Sequence, residues 1–158
     1  MATVCQLSPP WEREAIERIL PHRPPFLLID QVIEGSPERV VAIKRTRFEE
    51  FYFQGHFPGR PVMPGAILIE IMAQASLILY SFNFEIEHLF FLAKAKARFY
   101  VPVTPDKELR IIAHRTKVFK TMGLTEVEIF CENEKTAGAQ LAFAAARNAS
   151  EPGEPQMT

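Results

Sequence analysis

The longest apolar stretch of the sequence reads PGAILIEIMAQASLILY over residues 64–80. It is apolar nearly all round at helical spacing, which is typical of a helix buried on most sides. Glu70 and Gln74 interrupt it, whereas a membrane-spanning helix needs about 20 nearly uninterrupted apolar residues. The stretch therefore predicts a central core helix over 66–80, opened by Pro64 and Gly65, and no membrane span.

The residues before this helix predict a short helix and a hairpin. Apolar residues at helical spacing favour a helix over 11–20, which Pro21 ends. An apolar run over 26–34, turn residues at 35–37 and a β-branched run over 39–47 predict a strand, a turn and a second strand.

Residues 89–101 predict a strand after the core helix, because small and apolar residues alternate with basic ones. The apolar set is Ala93, Ala95, Ala97 and Phe99, and the basic set is Lys94, Lys96 and Arg98. This alternation predicts a half-buried strand with a basic outer row.

Three further strands are predicted over 109–120, 124–131 and 136–147, with turns at 122–123 and 133–134. The last segment is rich in alanine, which favours a helix, but a succession of hairpins predicts a strand there. The fold class is therefore α+β, with one long buried helix and about six mostly antiparallel strands. We expect a single domain over residues 1–158, with a loose tail over 148–158.

Composition excludes several classes of protein. The chain has 158 residues and a formal net charge of -1, whereas a generic nucleic-acid or polybasic membrane binder needs a positive excess. The N-terminal residues lack the charged start and apolar stretch of a secretory signal. Cys5 and Cys131 show no metal-ligand spacing. We therefore expect a cytoplasmic protein with free thiols, no metal, and neither a nucleic-acid nor a membrane partner.

Residues 48–64 follow neither the helical nor the strand period, and their Pro and Gly residues argue against regular structure. A long irregular segment inside a compact domain is uncommon and is usually functional or disordered. It contains four Phe residues, which would be costly to leave in water: Phe48, Phe51, Phe53 and Phe57. We therefore expect an ordered loop packed on the body of the domain, and such a loop points to a site.

His56 in this loop and Glu70 in the helix are the candidate catalytic residues. An isolated loop His is more often structural, and a buried Glu can simply be satisfied by Gln74 four residues on. An unpaired buried carboxylate is expensive, however, so Glu70 must be paired, protonated or placed at a cavity. Beside an apolar cavity the two residues can act as base and acid. The N–H of Gly65 suits a carbonyl oxygen that gains negative charge, so the set suits proton abstraction next to a thioester carbonyl.

Five short segments, in order over about residues 15–147, form a specific set. They read LPHR (20–23), FLLID (26–30), FQGHFPGRPVMPG (53–65), EIMAQ (70–74) and KARF (96–99). In these segments the chain resembles the (3R)-hydroxyacyl-[acyl carrier protein] dehydratase family of bacterial fatty acid synthesis. The resemblance implies a hot-dog fold, in which a curved antiparallel sheet wraps the long helix. It also implies a cofactor-free homodimer, often assembled as a trimer of dimers, with active sites at the dimer interface.

The resemblance also implies a role for each motif residue. His56 of one chain would take the α-proton of a 3-hydroxyacyl thioester, and Glu70 of the partner chain would protonate the departing 3-hydroxyl. The Gly65 N–H would hold the thioester carbonyl, and Gln74 would orient Glu70. Expected to line the acyl tunnel are Phe53, Phe57, Met63, Phe90 and Phe91. Two motif residues are expected to be structural: His22 and Asp30.

The segment 94–120 contains eight Lys or Arg residues and only two acidic ones. Such a row is usually the solvated face of a sheet, but acyl carrier proteins are strongly acidic and would be attracted to it. Given the resemblance, we expect Lys94, Lys96 and Arg98 to receive the carrier.

Three functions stay open. The first is a lyase that removes water from a (3R)-3-hydroxyacyl carrier thioester, in fatty acid biosynthesis or a related polyene or polyketide pathway. The second is a hot-dog thioesterase that releases free acid, and the third is a non-catalytic acyl-binding subunit of a dehydratase complex. The presence of both His56 and Glu70 favours the first over the third, and the full central motif favours it over the second.

Overall fold

This computed structural model describes residues 8–84 and 89–146. They contain seven strands and three helices. The strands are β1 (Trp11–Glu12), β2 (Gln31–Gly35), β3 (Arg39–Arg45), β4 (Phe90–Phe99), β5 (Glu108–Phe119), β6 (Met122–Cys131) and β7 (Glu134–Ala145). The helices are α1 (Arg13–Ile19), α2 (Phe51–Gly55) and α3 (Gly65–Ser81). The strand beyond the predicted six is the two-residue β1. The predicted tail over 148–158 and Cys5 lie outside the described residues.

All the described strands form one antiparallel sheet in the order β1-β2-β3-β5-β6-β7-β4. The helix α3 packs against every strand from β3 to β7, so the sheet curves around it. This arrangement confirms the predicted α+β hot-dog fold. Within 8–84 and 89–146, no helix is both long and apolar enough to cross a bilayer.

The core helix α3 forms where the apolar stretch predicts it and is one residue longer at each end. Its innermost side chains are buried: Leu68, Ile71, Met72, Ala75, Ile78 and Leu79. Burying a large apolar side chain contributes about 1.5–3 kcal/mol relative to leaving it exposed. The buried Ser76 hydroxyl lies 2.9 Å from the Met72 carbonyl oxygen and 2.7 Å from the hydroxyl of Thr125 in β6. These contacts satisfy a polar group and join the helix to the sheet.

The predicted hairpin is confirmed by β2 and β3, but its first strand is shorter than predicted. It begins at Gln31 rather than at residue 26. The Gln74 side chain donates to the Phe26 carbonyl at 2.8 Å and accepts the Leu28 N–H at 2.9 Å. Those two backbone groups therefore bond to the core helix rather than to a neighbouring strand.

The predicted first helix is also shorter, because α1 begins at Arg13 rather than at residue 11. Trp11 instead pairs with Val32 of β2, and its ring stacks on Phe82 with the ring centroids 5.0 Å apart. Apolar spacing places Trp11 on the buried side of a helix, but strand pairing buries it equally well.

The predicted strands after the core helix are present, including the alanine-rich β7, where hairpin pairing overrides helix propensity. The turn between β5 and β6 lies at 120–121, two residues earlier than predicted. Gly123 is instead inside β6, where the Phe143 ring covers it so closely that no Cβ would fit. The next turn, at 132–133, is one residue early and places Glu132 and Asn133 at φ 50 and 68.

The prediction that β4 is half-buried is wrong for this chain. Both of its faces are exposed over most of its length, because β4 lies at the edge of the sheet and pairs only with β7 among the described strands. Large apolar side chains stand exposed on or beside it: Phe91, Leu92, Phe99 and Tyr100. The strand therefore presents a long, unpaired and partly apolar edge.

Candidate active site

The loop before α3 differs from the predicted irregular segment in one respect. It contains the short helix α2, which buries Tyr52 and Phe53 and turns the neighbouring Phe51 outward. The loop packs on the body of the domain through Phe53, whereas Phe48, Phe51 and Phe57 are about half exposed. Of these exposed rings, that of Phe57 stacks on the His56 ring, with the centroids 4.0 Å apart.

Backbone hydrogen bonds fix the position of His56. Phe57 and Arg60 exchange N–H···O bonds of 3.0 and 2.9 Å across a turn that contains Gly59 at φ 73, a conformation that favours glycine. The Val62 N–H then donates to the His56 carbonyl at 2.8 Å. This short ladder brings the Val62 carbonyl back to the imidazole.

The His56 ring has a defined tautomer. Its Nδ1 lies 2.7 Å from the Val62 carbonyl oxygen, which can only accept, so Nδ1 carries the hydrogen and donates it. In the neutral ring, Nε2 then keeps its lone pair. The structure therefore presents His56 as a proton acceptor through Nε2, in the manner of a general base.

Glu70 projects from α3 and is partly buried, with 22% of its side chain exposed. Its Oε1 accepts a 2.9 Å hydrogen bond from Gln74 Nε2. The Nε2 of His22, from the segment after α1, lies 3.4 Å from the same oxygen. The carboxyl group is thus held on one side by two nitrogen atoms.

Gln74 is fully buried, and both the nitrogen and the oxygen of its side-chain amide make hydrogen bonds. Nε2 donates to the Phe26 carbonyl and to Glu70, while the amide oxygen accepts the Leu28 N–H. The Leu28 N–H fixes which end of the amide is oxygen, so both N–H groups must face the other two partners. Gln74 thereby joins the segment 26–28 to Glu70.

Gly65 is the first residue of α3, so its N–H has no acceptor within the helix. The Phe99 ring of β4 lies against it, and a Cβ at this position would stand 3.0 Å from the ring. The absence of a side chain at Gly65 therefore allows this close approach. The end of β4 consequently lies beside the start of the helix, where the helix dipole favours developing negative charge.

A charged cluster stands where the His56 loop leaves the sheet. Lys44 of β3 contacts Glu50, whose Oε2 also accepts hydrogen bonds from the Arg47 N–H (2.9 Å) and the Tyr52 hydroxyl (2.7 Å). Burial, and then the hydrogen bond to Glu50, raise the pKa of Tyr52 above its ordinary range. The cluster ties the beginning of the loop to the sheet.

The residues predicted to line an acyl tunnel lie in three different settings. Phe53 and Met63 are buried in the core beneath the loop. Phe90 packs against Tyr80 and Phe143 at the far end of α3. Phe57 and Phe91 are exposed in this chain.

His56 and Glu70 are not brought into contact within one chain. Among the described residues, no hydrogen bond or ion pair joins the two side chains. In the same part of the chain, no group of three His, Cys, Asp or Glu residues is arranged to hold a metal ion. The imidazole of His56 and the carboxyl group of Glu70 are thus each held in place, on separate elements.

Comparison with known proteins decides the family. A family model described as a FabA-like domain matches residues 20–140. The chain belongs to the FabA-like domain family. That match takes in the His56 loop, all of α3 and most of the sheet.

Curated relatives resemble the chain over most of their length. The 3-hydroxyacyl-[acyl-carrier-protein] dehydratase FabZ of Desulforamulus reducens is 43% identical over 133 residues, which is 82% of this chain and 94% of the relative. The same enzyme of Anaeromyxobacter sp. is 38% identical over 138 residues, 81% of this chain and 88% of the relative. Among solved structures, the dehydratase heterocomplex ApeI:P from Xenorhabdus doucetiae matches with a TM-score of 0.74 and 24% identity, covering 84% of this chain and 91% of that one. This last likeness concerns the fold.

Sequence reasoning missed two features of the site. The resemblance implies a structural role for His22 and gives no sign that its ring stands against Glu70. The motifs described above do not include Lys44, although it is a buried cation at the base of the loop. A Lys inside a β-branched strand, followed six residues later by Glu50, is the signal that could have pointed to the cluster.

Proposed function

We propose that the chain removes water from a (3R)-3-hydroxyacyl thioester carried by an acyl carrier protein and forms the trans-2-enoyl product. The observation that carries this proposal is the His56 tautomer, which leaves Nε2 free to accept a proton in a family whose curated relatives are dehydratases. The pathway is fatty acid biosynthesis or a closely related one, and the cytoplasm stays the predicted location.

The chemistry follows from the two positioned groups. His56 Nε2 takes the proton from the carbon next to the thioester carbonyl, while the Gly65 N–H stabilises the negative charge on the carbonyl oxygen. The electrons of that C–H bond form the new double bond. Glu70 gives its proton to the 3-hydroxyl as the C–O bond breaks, and water leaves. No cofactor is needed for this step.

The active unit is a homodimer in this proposal. A ten-residue edge strand with exposed apolar side chains is a template for pairing with another chain, and soluble proteins normally cover such an edge. Pairing of β4 with β4 of a second copy would bury that edge around a two-fold axis. Because Phe99 of β4 touches Gly65, the interface would lie beside the start of α3 and could bring Glu70 of the partner subunit to His56. Assembly into a trimer of dimers stays a prediction.

The carrier docks, in this proposal, on the outer face of β4. Lys94, Lys96 and Arg98 point to that face, and none of them has a hydrogen-bond or ion-pair partner among the described residues. Other cations of the basic segment are already paired, since Lys107 bonds to Glu132 at 2.7 Å and Arg115 approaches Glu38 at 3.5 Å. Lys96 and Arg98 also line a surface groove that continues across β7 and β6.

Reversing the charge of Lys94 and Lys96 together is expected to lower kcat/KM for the carrier-linked substrate about tenfold or more, because steering by opposite charge is lost. Turnover of a small, carrier-free 3-hydroxyacyl thioester should stay unchanged. The measurement is steady-state kinetics on both substrates at low and high salt, since screening weakens the effect.

A matched control reverses Lys107 and Lys117, which changes net charge equally but leaves β4 intact. It is expected to have little effect on either substrate. Equal losses on both substrates, or equal losses from both pairs of substitutions, would remove the outer face of β4 as the docking surface.

The proposed reaction is tested by mass spectrometry of the purified protein with a 3-hydroxyacyl carrier substrate. Loss of water with the thioester intact is the expected result. Release of free acid would indicate a thioesterase instead, and an unchanged substrate would indicate an acyl-binding subunit without activity. The double variant with His56→Ala and Glu70→Gln, purified in the same way, controls for contaminating enzymes.

A further inference from the structure

His22 lies in the segment between α1 and β2, which packs over the middle of α3. Its Nε2 is 3.4 Å from Glu70 Oε1, and 20% of its side chain is exposed. Its other ring nitrogen, Nδ1, is buried and has no hydrogen-bond partner in the part of the chain that the structure describes. The ion-pair contact of the imidazole in that part of the chain is therefore with the carboxyl group of Glu70.

The position of this imidazole is fixed from both sides. The Arg23 guanidinium donates to the carbonyls of Leu20 (2.9 Å) and His22 (2.7 Å), which holds the backbone at the turn. The His22 ring stacks with the Phe26 ring, at 6.3 Å between centroids. Gln74 then ties the Phe26 carbonyl to α3. The buried amide that bonds to Glu70 thus also holds the backbone of Phe26, whose ring stacks with His22.

The two ring nitrogens of His22 indicate its tautomer. A hydrogen on Nδ1 would be a buried donor without an acceptor, which proteins rarely tolerate. A hydrogen on Nε2 would instead sit on the nitrogen that faces the Glu70 carboxyl group, 3.4 Å away, and would leave Nδ1 as a lone pair. The geometry therefore favours an Nε2–H donor directed at the carboxyl group.

Glu70 is held asymmetrically. Gln74 Nε2 and His22 Nε2 both approach Oε1, whereas Oε2 has no hydrogen-bond partner among the described residues. The hydrogen bond from Gln74 makes Oε1 the oxygen that accepts, and His22 Nε2 lies 3.4 Å from the same atom. The proton that Glu70 gives up must then reside on Oε2.

We propose that His22 is a positioning residue that, together with Gln74, reserves Oε2 of Glu70 for proton transfer to the substrate. This inference rests on the proposed dehydration. When the Oε2 proton passes to the 3-hydroxyl, the C–O bond breaks, water leaves, and Glu70 becomes a carboxylate. Two N–H groups at Oε1 stabilise that new charge more strongly than they stabilise the neutral acid. The 3.4 Å separation is long for a resting hydrogen bond, and catalytic hydrogen bonds commonly tighten as charge develops.

The test compares three replacements of His22 on a small 3-hydroxyacyl thioester. His22→Met removes the donor and is expected to lower kcat about 10- to 100-fold, as for loss of a charge-assisted hydrogen bond, with KM within about threefold. His22→Gln puts an amide N–H near the position of Nε2 and is expected to restore kcat to within about threefold of the wild type. His22→Asn puts its amide near Nδ1 instead and is expected to behave like the Met variant.

A second arm places His22→Met in the Glu70→Gln background, where single-turnover measurements are expected to show less than about a twofold further loss. His114→Met, at an exposed histidine of β5, is the matched control and should leave kcat unchanged. Equal kcat losses in the Gln and Met variants, a loss confined to KM, or a full further loss without Glu70 would each overturn the positioning role.

Melting temperatures of all variants are measured alongside the kinetics. If the Met variant does not fold, the contrast between Gln and Asn still decides between donor geometry and simple packing. The wild-type enzyme reports separately on the proposed function, because absence of water loss there rejects the dehydration itself, whatever the His22 variants do.

Discussion

Equal amounts of His56→Ala and Glu70→Gln, mixed under conditions that let subunits exchange, are expected to regain about one quarter of wild-type activity. Each variant alone is expected to lose about 10²–10⁴ in kcat, because general acid–base catalysis of this kind contributes that much. In a mixed dimer, the His56 of one chain meets the Glu70 of the other, so one of the two sites is intact. Half of the dimers are mixed at equilibrium, and each retains half of its sites.

Steady-state water loss from a small 3-hydroxyacyl thioester measures the recovery, and native mass spectrometry confirms that subunits have exchanged. The control mixes His56→Ala with the double variant carrying both substitutions, which yields no intact site. Exchange without any recovery would mean that each site draws both residues from one chain. Such a result would reject the shared site but leave the dehydration untouched.

We expect a site shared between two chains because His56 and Glu70 do not contact each other within one chain. His56 bonds to Val62 within its loop, and Glu70 bonds to Gln74 on α3 and faces His22. The apolar edge of β4 lies next to the start of the same helix through Phe99 and Gly65. The unpaired, partly apolar edge of β4 therefore lies beside the start of the helix that carries Glu70. For this reason we expect a second copy of the chain to cover the edge and complete the site.

The long helix and the hairpins could be predicted from the sequence because their patterns are local. An apolar run of 17 residues needs burial in any fold, and it forms α3. The alternation in β6 requires one buried face, and Val127 and Ile129 are buried as that pattern predicts. The segment of β7 forms a strand because it pairs with β6, although its alanines favour a helix when considered by themselves.

The errors occur where a distant side chain replaces a local partner. Gln74 bonds to the backbone at Phe26 and Leu28, 48 and 46 residues away, so the strand predicted there begins only at residue 31. No pattern within residues 26–34 carries that information. The exposure of β4 has a similar cause, since alternation predicts a buried face but not whether the same chain covers it.

The residues of the candidate site could be predicted from the sequence, but the contacts between them could not. Glu70 stood out as a carboxylate in an apolar helix, and Gln74 four residues on is at the spacing for contact. The approach of His22 depends on the turn at Arg23 and on Gln74, which only the folded chain brings together. Spacing along the sequence finds neighbours on one helix and misses neighbours from another element.

Replacing Lys44 with methionine is expected to lower the free energy of unfolding by about 3–5 kcal/mol, the usual cost of leaving a buried charge without its partner. Lys44 is 2% exposed and contacts Glu50, with Asp30 3.9 Å away. Methionine matches the length and apolar character of the lysine stem but leaves the Glu50 carboxylate unneutralised. Asp30 suffers less, because Arg13 pairs with it at 2.6 Å.

Urea unfolding monitored by circular dichroism measures the loss, with Arg39→Met as the control. Arg39 pairs with Glu34 on the surface, where both side chains are largely exposed, so its loss should cost no more than about 1 kcal/mol. Adding Glu50→Gln to the Lys44 variant removes the stranded charge but keeps an acceptor for Arg47 and Tyr52, and should recover much of the stability. A Lys44 variant no less stable than the Arg39 variant would mean that water reaches this cluster. The loop that carries His56 would then be held by its apolar contacts at Phe53 and Met63 instead.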